Sequence, residues 1–157
     1  MSDELAYLAG AMDSDGFITI RRDTRRLRRG EKKAVAFRES IGLKQVVETV
    51  PRMLKDRFGG TLYLAKPSAR KGKPLWSWTA CSKVAARCLT ELLPYLKVKR
   101  RQAEIALALR ARIDAKNFKY GGQGRKEIPF EEWQERERLC FEVKQLNDNR
   151  TWRPLLI

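Results

Sequence analysis

The stretch LAYLAGAMDSDGFITI, Leu5 to Ile20, decides how the rest of the chain is read. A small, apolar run ends in two carboxylates, Asp13 and Asp15, and gives way to alternating strand-like sequence. Leu5, Leu8 and Met12 fall at i, i+3 and i+7, the stripe of a helix facing a core. That helix is expected from about Asp3 to Met12, with Ser2 or Asp3 as cap and Glu4 at its positive end. Ala6, Ala9, Gly10 and Asp13 form a second face of mostly small side chains. Glycine inside a helix costs about 1 kcal/mol, so Gly10 implies a packing reason, such as the close approach of another backbone.

The acids are followed by a long basic hairpin. One strand is expected from Phe17 to about Leu27, a turn near Gly30-Glu31, and a second strand from about Ala34 to Lys44. A helix from about Glu48 to Phe58 follows, with Pro51 in its first turn and Gly59-Gly60 closing it. Strands from about Thr61 to Lys66 and Leu75 to Ala80 flank the basic loop KPSARKGKP. Ser82 is the expected cap of a helix to Leu93, stopped by Pro94, with Ala85, Cys88, Leu89 and Leu92 on one face. Further helices are expected at about Lys99–Ala115 and Phe130–Asn147. The order αββαββα predicts an α+β fold: a four-stranded antiparallel sheet covered by helices on one face, plus C-terminal helices. Trp76 and Trp78 alternate on the fourth strand and read as core beneath those helices. The 157 residues read as a single domain, its core at about 3–115 and a helical extension at about 129–147.

Charge restricts the partners. Lys and Arg number 34 against 19 acids, a formal net charge of +15 that calls for an anionic partner. Nucleic acid fits best, because phosphate neutralisation uses Arg and Lys. A membrane surface fits poorly: there is no long basic amphipathic helix with an aromatic face, and no run approaches a membrane span. The acidic start Met1-Ser2-Asp3-Glu4 lacks the basic region of a signal peptide. Cys81, Cys88 and Cys140 have no metal-ligand spacing and read as buried thiols in a reducing compartment. The expected location is intracellular, in a bacterial or phage-encoded cytoplasm or an organelle. With no His in the chain, catalysis would rest on carboxylates and Lys, with or without a hard metal. GGQGRK is not a phosphate loop, since GxxxxGK[ST] is missing.

Leu8 to Gly16, LAGAMDSDG, resembles the LAGLIDADG motif of homing endonucleases in six of its nine letters. LLPYLKVKRRQAEIAL, Leu92 to Leu107, also resembles this family, and so does the element order; the resemblance covers about Leu5 to Asn147. It implies a metal-dependent DNA endonuclease using Mg2+ or Mn2+, leaving 3′-hydroxyl and 5′-phosphate ends. In the family the acid before the final Gly is the metal ligand, which maps to Asp15. The carbonyl of Ser14 is a second candidate ligand, and Ser there departs from the family's usual Gly or Ala. Lys99 maps to a Lys that stabilises charge on the scissile phosphate. A water-ordering polar residue maps to Gln45, or in another register to Leu43.

The motif occurs once. One Asp cannot hold a metal cluster alone, so a homodimer would bring two Asp15 carboxylates together. Ala6, Ala9 and Gly10 would form the helix crossing, with Asp13 supporting the helix end or interface. Paired carboxylates repel unless cations sit between them.

The family lays one sheet face in the major groove, where a two-stranded ribbon fits. Alternation from Asp15 puts Thr19, Arg21, Asp23 and Arg25 on that face, then Arg38 and Ser40 on strand two. The second hairpin would add Lys66, Arg70, Lys73, Ser77 and Thr79. From Arg21 to Lys33 there are eight basic residues and two acids, most of which would grip phosphates rather than read bases. The leading expectation is a homodimeric nuclease of double-stranded DNA that cuts a long, partly palindromic site. The alternatives are a cleavage-inactive nucleic-acid binder of the same fold, as a transcription regulator or intron maturase, and a basic structural protein.

Overall fold

A computed structural model describes residues 2–25, 34–67, 72–115 and 128–148. The elements run α1 (Ser2–Asp15), β1 (Gly16–Arg25), β2 (Ala34–Gln45), α2 (Thr49–Phe58), β3 (Thr61–Ala65), β4 (Leu75–Cys81), α3 (Ser82–Leu92), α4 (Arg100–Ala115) and α5 (Phe130–Asn147). The four strands form one antiparallel sheet in the order β1-β2-β4-β3. The expected α+β architecture is the one observed.

The helix α1 runs to Asp15 rather than stopping near Met12. The hydroxyl of Ser14 donates to the carbonyl of Gly10 at 3.1 Å, so the polar residues continue the helix instead of breaking it. Gly16 ends it because a Cβ there would lie 2.0 Å from the Met12 sulfur and 2.7 Å from the Met12 carbonyl oxygen. Only the bare backbone can turn straight from helix into strand at this point.

Period-two patterning then divides the sheet. Ile18 and Ile20 of β1, and Phe37, Ile41 and Leu43 of β2, turn toward the helices and are buried. On the same side of β4, Trp78 is fully buried and its ring N–H donates to the Gly59 carbonyl at 2.8 Å. Pro51 lies in the first turn of α2, and α2 closes at Gly59 and Gly60, with φ of 83° and 85°. A Cβ on Gly60 would approach the Thr79 carbonyl oxygen to 2.6 Å, so close backbone packing also selects glycine there.

The cap expected at Ser82 is displaced by one residue. Strand β4 feeds α3 without a linker, so Cys81 is the cap, extended at φ −135°, and Ser82 takes φ 56° as the chain turns.

One core cluster joins α1, α2, α3 and the start of α4 over the sheet, through Leu8, Met12, Leu54, Phe58, Leu89, Leu92 and Ala103. A second joins α4 and α5 over the far half of β1 and β2, through Ile20, Phe37, Ile105, Leu109, Leu139 and Val143. Two acids are fully buried there. Glu39 takes Arg110 in a two-pronged pair at 2.6 and 2.9 Å, and Glu132 meets Arg112 at 2.7 Å and Arg136 at 3.1 Å. The α5 side chains also reach the outer edge of the sheet: Asn147 donates to the Ile18 carbonyl at 2.8 Å, covering the edge strand β1. Among the described residues, no helix is long and apolar enough to cross a membrane.

Candidate active site and nucleic-acid interface

The register of the first hairpin builds the site. Gly16 pairs with Leu43, so β2 extends two residues past the start of β1, alongside the end of α1. Gln45 thereby reaches Asp15, and its Nε2 donates to Asp15 Oδ2 at 2.9 Å. Of the two registers compatible with the sequence, the structure brings Gln45 to Asp15 and buries Leu43 completely in the core.

Asp15 is exposed at the negative end of the α1 dipole, and the last turn of α1 carries no basic residue. No Lys or Arg among the described residues forms an ion pair with it. Together these put a hard oxygen donor where the local field favours a cation. Ser14 is exposed beside it, and its carbonyl is one of the four at the helix end that no helical amide can reach.

Asp13, two residues away, has a different environment. Its carboxylate accepts the backbone amides of Lys97 at 2.8 Å and Lys99 at 2.9 Å. Partial burial works to raise its pKa, but the amides of Lys97, Lys99 and Val98 and the nearby Lys99 charge outweigh it, and the net shift is below the ordinary carboxylate value. The Lys99 ammonium donates to the backbone carbonyl of Asp13. Lys99 therefore sits against the last turn of the helix that presents Asp15.

The helix face expected to be open needs correction. Ala9 is fully buried in the core with Leu8 and Met12, because Leu5, Ala9 and Met12 share one stripe at i, i+4 and i+7. Asp13 is turned to the segment before α4. The face actually open carries Ala6, Tyr7, Gly10 and Ser14. Tyr7 is 57% exposed, and a Cβ on Gly10 would meet nothing within 4 Å. With Ala11, Asp15, Gln45 and Val47 this face lines an open groove of about 620 Å³. Tyr7 is a large residue on a face whose sequence signature is otherwise its small residues, Ala6 and Gly10.

The sheet face turned away from the helices carries Thr19, Arg21 and Asp23 on β1, opposite Ser40, Arg38 and Ala36 on β2. Arg38 and Asp23 form an ion pair at 2.6 Å. On the other hairpin the register aligns Gly42 with Thr79 and Thr61, and Lys44 with Ser77 and Tyr63. Lys44 and Tyr63 are exposed on this face, and continuing the alternation of Arg38 and Ser40 to Lys44 would have found one of them. Ser40 and Ser77 share the face but are fully buried, so neither hydroxyl is open to a direct contact; a short side chain sinks below its longer neighbours. Lys66 lies one residue past β3, in the alternation of Leu62 and Leu64 rather than Tyr63, so the register does not put it on this face. Lys73 is exposed just before β4. Arg25 has its place in the register opposite Ala34. Arg70, the Gly30-Glu31 turn and the GGQGRK segment lie outside the described residues.

No family model and no curated protein sequence matches the chain. Solved structures do. The homing endonuclease I-CvuI, in complex with the I-CreI target, is 23% identical with a TM-score of 0.70, over 96% of this chain and 85% of that one. The archaeal intron-encoded homing endonuclease I-Vdi141I, complexed with DNA, is 12% identical with a TM-score of 0.68, over 94% of this chain and 86% of that one. The LAGLIDADG homing endonuclease I-GzeII, in complex with its DNA target, is 12% identical with a TM-score of 0.63, over 87% of this chain and 43% of that one. The fold is that of the LAGLIDADG homing endonucleases.

Proposed function

We propose that the chain is a site-specific endonuclease of double-stranded DNA, a member of the LAGLIDADG family that works as a homodimer. The observation that carries this reading is the grouping at the end of α1: an exposed Asp15 held by Gln45 at 2.9 Å, with Lys99 docked on the same helix end. A pure binder has little use for an unneutralised carboxylate facing phosphate.

The donor set fits a hard divalent ion, Mg2+ or Mn2+: a carboxylate oxygen of Asp15, with the Ser14 carbonyl beside it. Such an ion would supply Lewis acidity to the phosphodiester and acidify water near neutral pH. Among the described residues no three acidic or thiol side chains gather into a metal site. A two-fold dimer across the open face of α1 would complete it with the Asp15 of a second copy. The exposed Tyr7 and Val47, and the free space over Gly10, support that face as the contact. The chain also spans 43% of the I-GzeII chain, the proportion expected if two copies do the work of one longer chain.

The chain's own groups have separable roles. Gln45 gives an N–H to Asp15 and keeps its carbonyl oxygen to accept a hydrogen bond from the attacking water, which orients it. Lys99 places a positive charge near the scissile phosphate. In hydrolysis the water oxygen bonds to phosphorus and the P–O3′ bond breaks. The attacking water gives up one proton to solvent and the departing 3′-oxygen takes one from solvent, giving a 3′-hydroxyl and a 5′-phosphate. The outward sheet face, with Arg21, Arg38 and Lys44, would lie in the major groove, where Arg can bind guanine in two-pronged fashion.

The test uses the full chain on a library of genomic duplex DNA with and without Mg2+, followed by sequencing of new ends. Discrete Mg2+-dependent double-strand ends are expected, lost in Asp15→Asn, while that variant still binds the selected site as a dimer. Selective binding without ends under Mg2+ and Mn2+ would instead establish a cleavage-inactive binder.

A further inference from the structure

We propose that Asp13 is the positioning residue for Lys99, and that it joins the two charged groups of the proposed cleavage site into one rigid unit. This inference rests on the nuclease reading of Lys99 and deepens it. Both ends of Asp13 act on the same partner. The Asp13 carboxylate takes the amides of Lys97 and Lys99, which fixes the backbone from which the Lys99 side chain departs. The Asp13 carbonyl takes the Lys99 ammonium, which fixes where that side chain ends. A lysine has four rotatable side-chain bonds and is otherwise a mobile charge. Here it is held at its root and at its tip.

The anchor is well placed for the purpose. Asp13 lies in the last turn of α1, two residues before Asp15, so Lys99 is referenced to the helix that presents the candidate metal ligand. Lys99 immediately precedes α4, so the carboxylate of Asp13 holds the backbone that enters that helix. Asp15 in turn is fixed by Gln45 from β2. Three elements that meet only in the folded chain, α1, β2 and the entry to α4, are thus tied at one point. Charge stabilisation in a transition state depends on groups being in place before the reaction begins, and this arrangement provides it for Lys99.

A helix cap that merely stabilises the fold would show the same hydrogen bonds, so the test must read Lys99 itself. Asp13→Asn keeps one side-chain acceptor and the backbone carbonyl, and is expected to fold. The first measurement is reductive methylation of lysines in the whole protein, followed by mass spectrometry, with exposed Lys83 of α3 as internal reference. Lys99 is expected to react severalfold faster in Asp13→Asn than in the wild type, and Lys83 at an unchanged rate. This reading is independent of cleavage. An unchanged Lys99 rate overturns the proposal, whether or not the protein cuts DNA.

The second measurement is single-turnover cleavage at saturating DNA and Mg2+. Asp13→Asn is expected to lower the rate by roughly tenfold to a hundredfold, with DNA affinity within about twofold of wild type. Lys99→Met is expected to lose as much, and the double variant no more than Lys99→Met alone. Losses that multiply in the double variant would show Asp13 acting apart from Lys99 and overturn the proposal. Asp13→Glu, which restores both oxygens at greater reach, is expected to recover part of the rate. A wild-type protein that does not cut would defeat the nuclease reading, and the methylation result would still decide the anchoring.

Discussion

At the end of α1 two aspartates stand two residues apart with different partners. Asp15 is exposed and shares one oxygen with Gln45, whereas Asp13 is enclosed by the backbone amides of Lys97 and Lys99. The consequence for Asp13 can be read as a pH dependence. Its pKa in the folded protein lies below the ordinary value of 3.8 because the amides outweigh partial burial. A depressed carboxylate contributes stability that is fully present above the unfolded pKa and lost as pH falls through the folded one. In EDTA, wild type is expected to melt above Asp13→Asn by a constant margin from neutral pH down to about pH 5. The margin should shrink below pH 3.8, since a protonated Asp13 presents one acceptor oxygen, as Asn does. A margin that stays constant to the lowest pH at which both variants fold would contradict the assignment. The family resemblance gave the two acids different roles, but the sequence does not show the partners that separate them. Residues 97 and 99 reach Asp13 only in the folded chain, 84 and 86 positions away.

Among the elements, the order was legible because each carries its own period. Ile18 and Ile20 alternate with Thr19 and Arg21, and α2 and α3 are bracketed by Pro51, Gly59 and Pro94. The misplaced boundaries share one cause. The run Asp13-Ser14-Asp15-Gly16 reads locally as a stop, yet Ser14 folds its hydroxyl back onto the helix and α1 continues. Ser82 reads locally as a cap, yet β4 runs directly into α3 and the cap falls on Cys81. Ala9 was expected at a surface because it is small, yet it is fully buried in the core with Leu8 and Met12. The strand β2 holds the least legible feature. Alternation turns Glu39 to the core, but only the fold shows Arg110 of α4 waiting there at 2.6 and 2.9 Å. Glu39 is fully buried and the Arg110 side chain is 13% exposed. Arg110→Met would strand a carboxylate in the core, at a cost of roughly 3–5 kcal/mol. Glu39→Leu with Arg110→Met removes both charges and is expected to cost far less, as urea unfolding midpoints would show. If the double variant were no more stable than Arg110→Met alone, packing rather than the stranded charge would account for the loss.

Over the whole molecule, the excess of positive charge is unevenly answered. On the helix side, α5 supplies partners: Glu137 to Arg22 at 3.3 Å, Glu142 to Arg101 at 2.7 Å, Glu132 to Arg112 at 2.7 Å, and Glu135 and Glu142 to Arg138. On the outward sheet face, Arg38 has Asp23, while Arg21 and Lys44 have no acid among the described residues. Among the described residues the fold thus leaves Arg21 and Lys44 unanswered on the face proposed for DNA, and the acidic helix lowers the attraction of phosphate to the other side. Salt dependence can test this, because the slope of log K against log salt counts phosphates neutralised, not total charge. Lys44→Ala and Arg138→Ala each remove one positive charge. If the sheet face binds, Lys44→Ala is expected to reduce the slope by about one for a lysine that grips a phosphate, and Arg138→Ala to leave it unchanged. Equal changes in the two variants would mean that the protein attracts DNA as a diffuse positive body. The asymmetry built by α5 would then have no part in how the duplex is held.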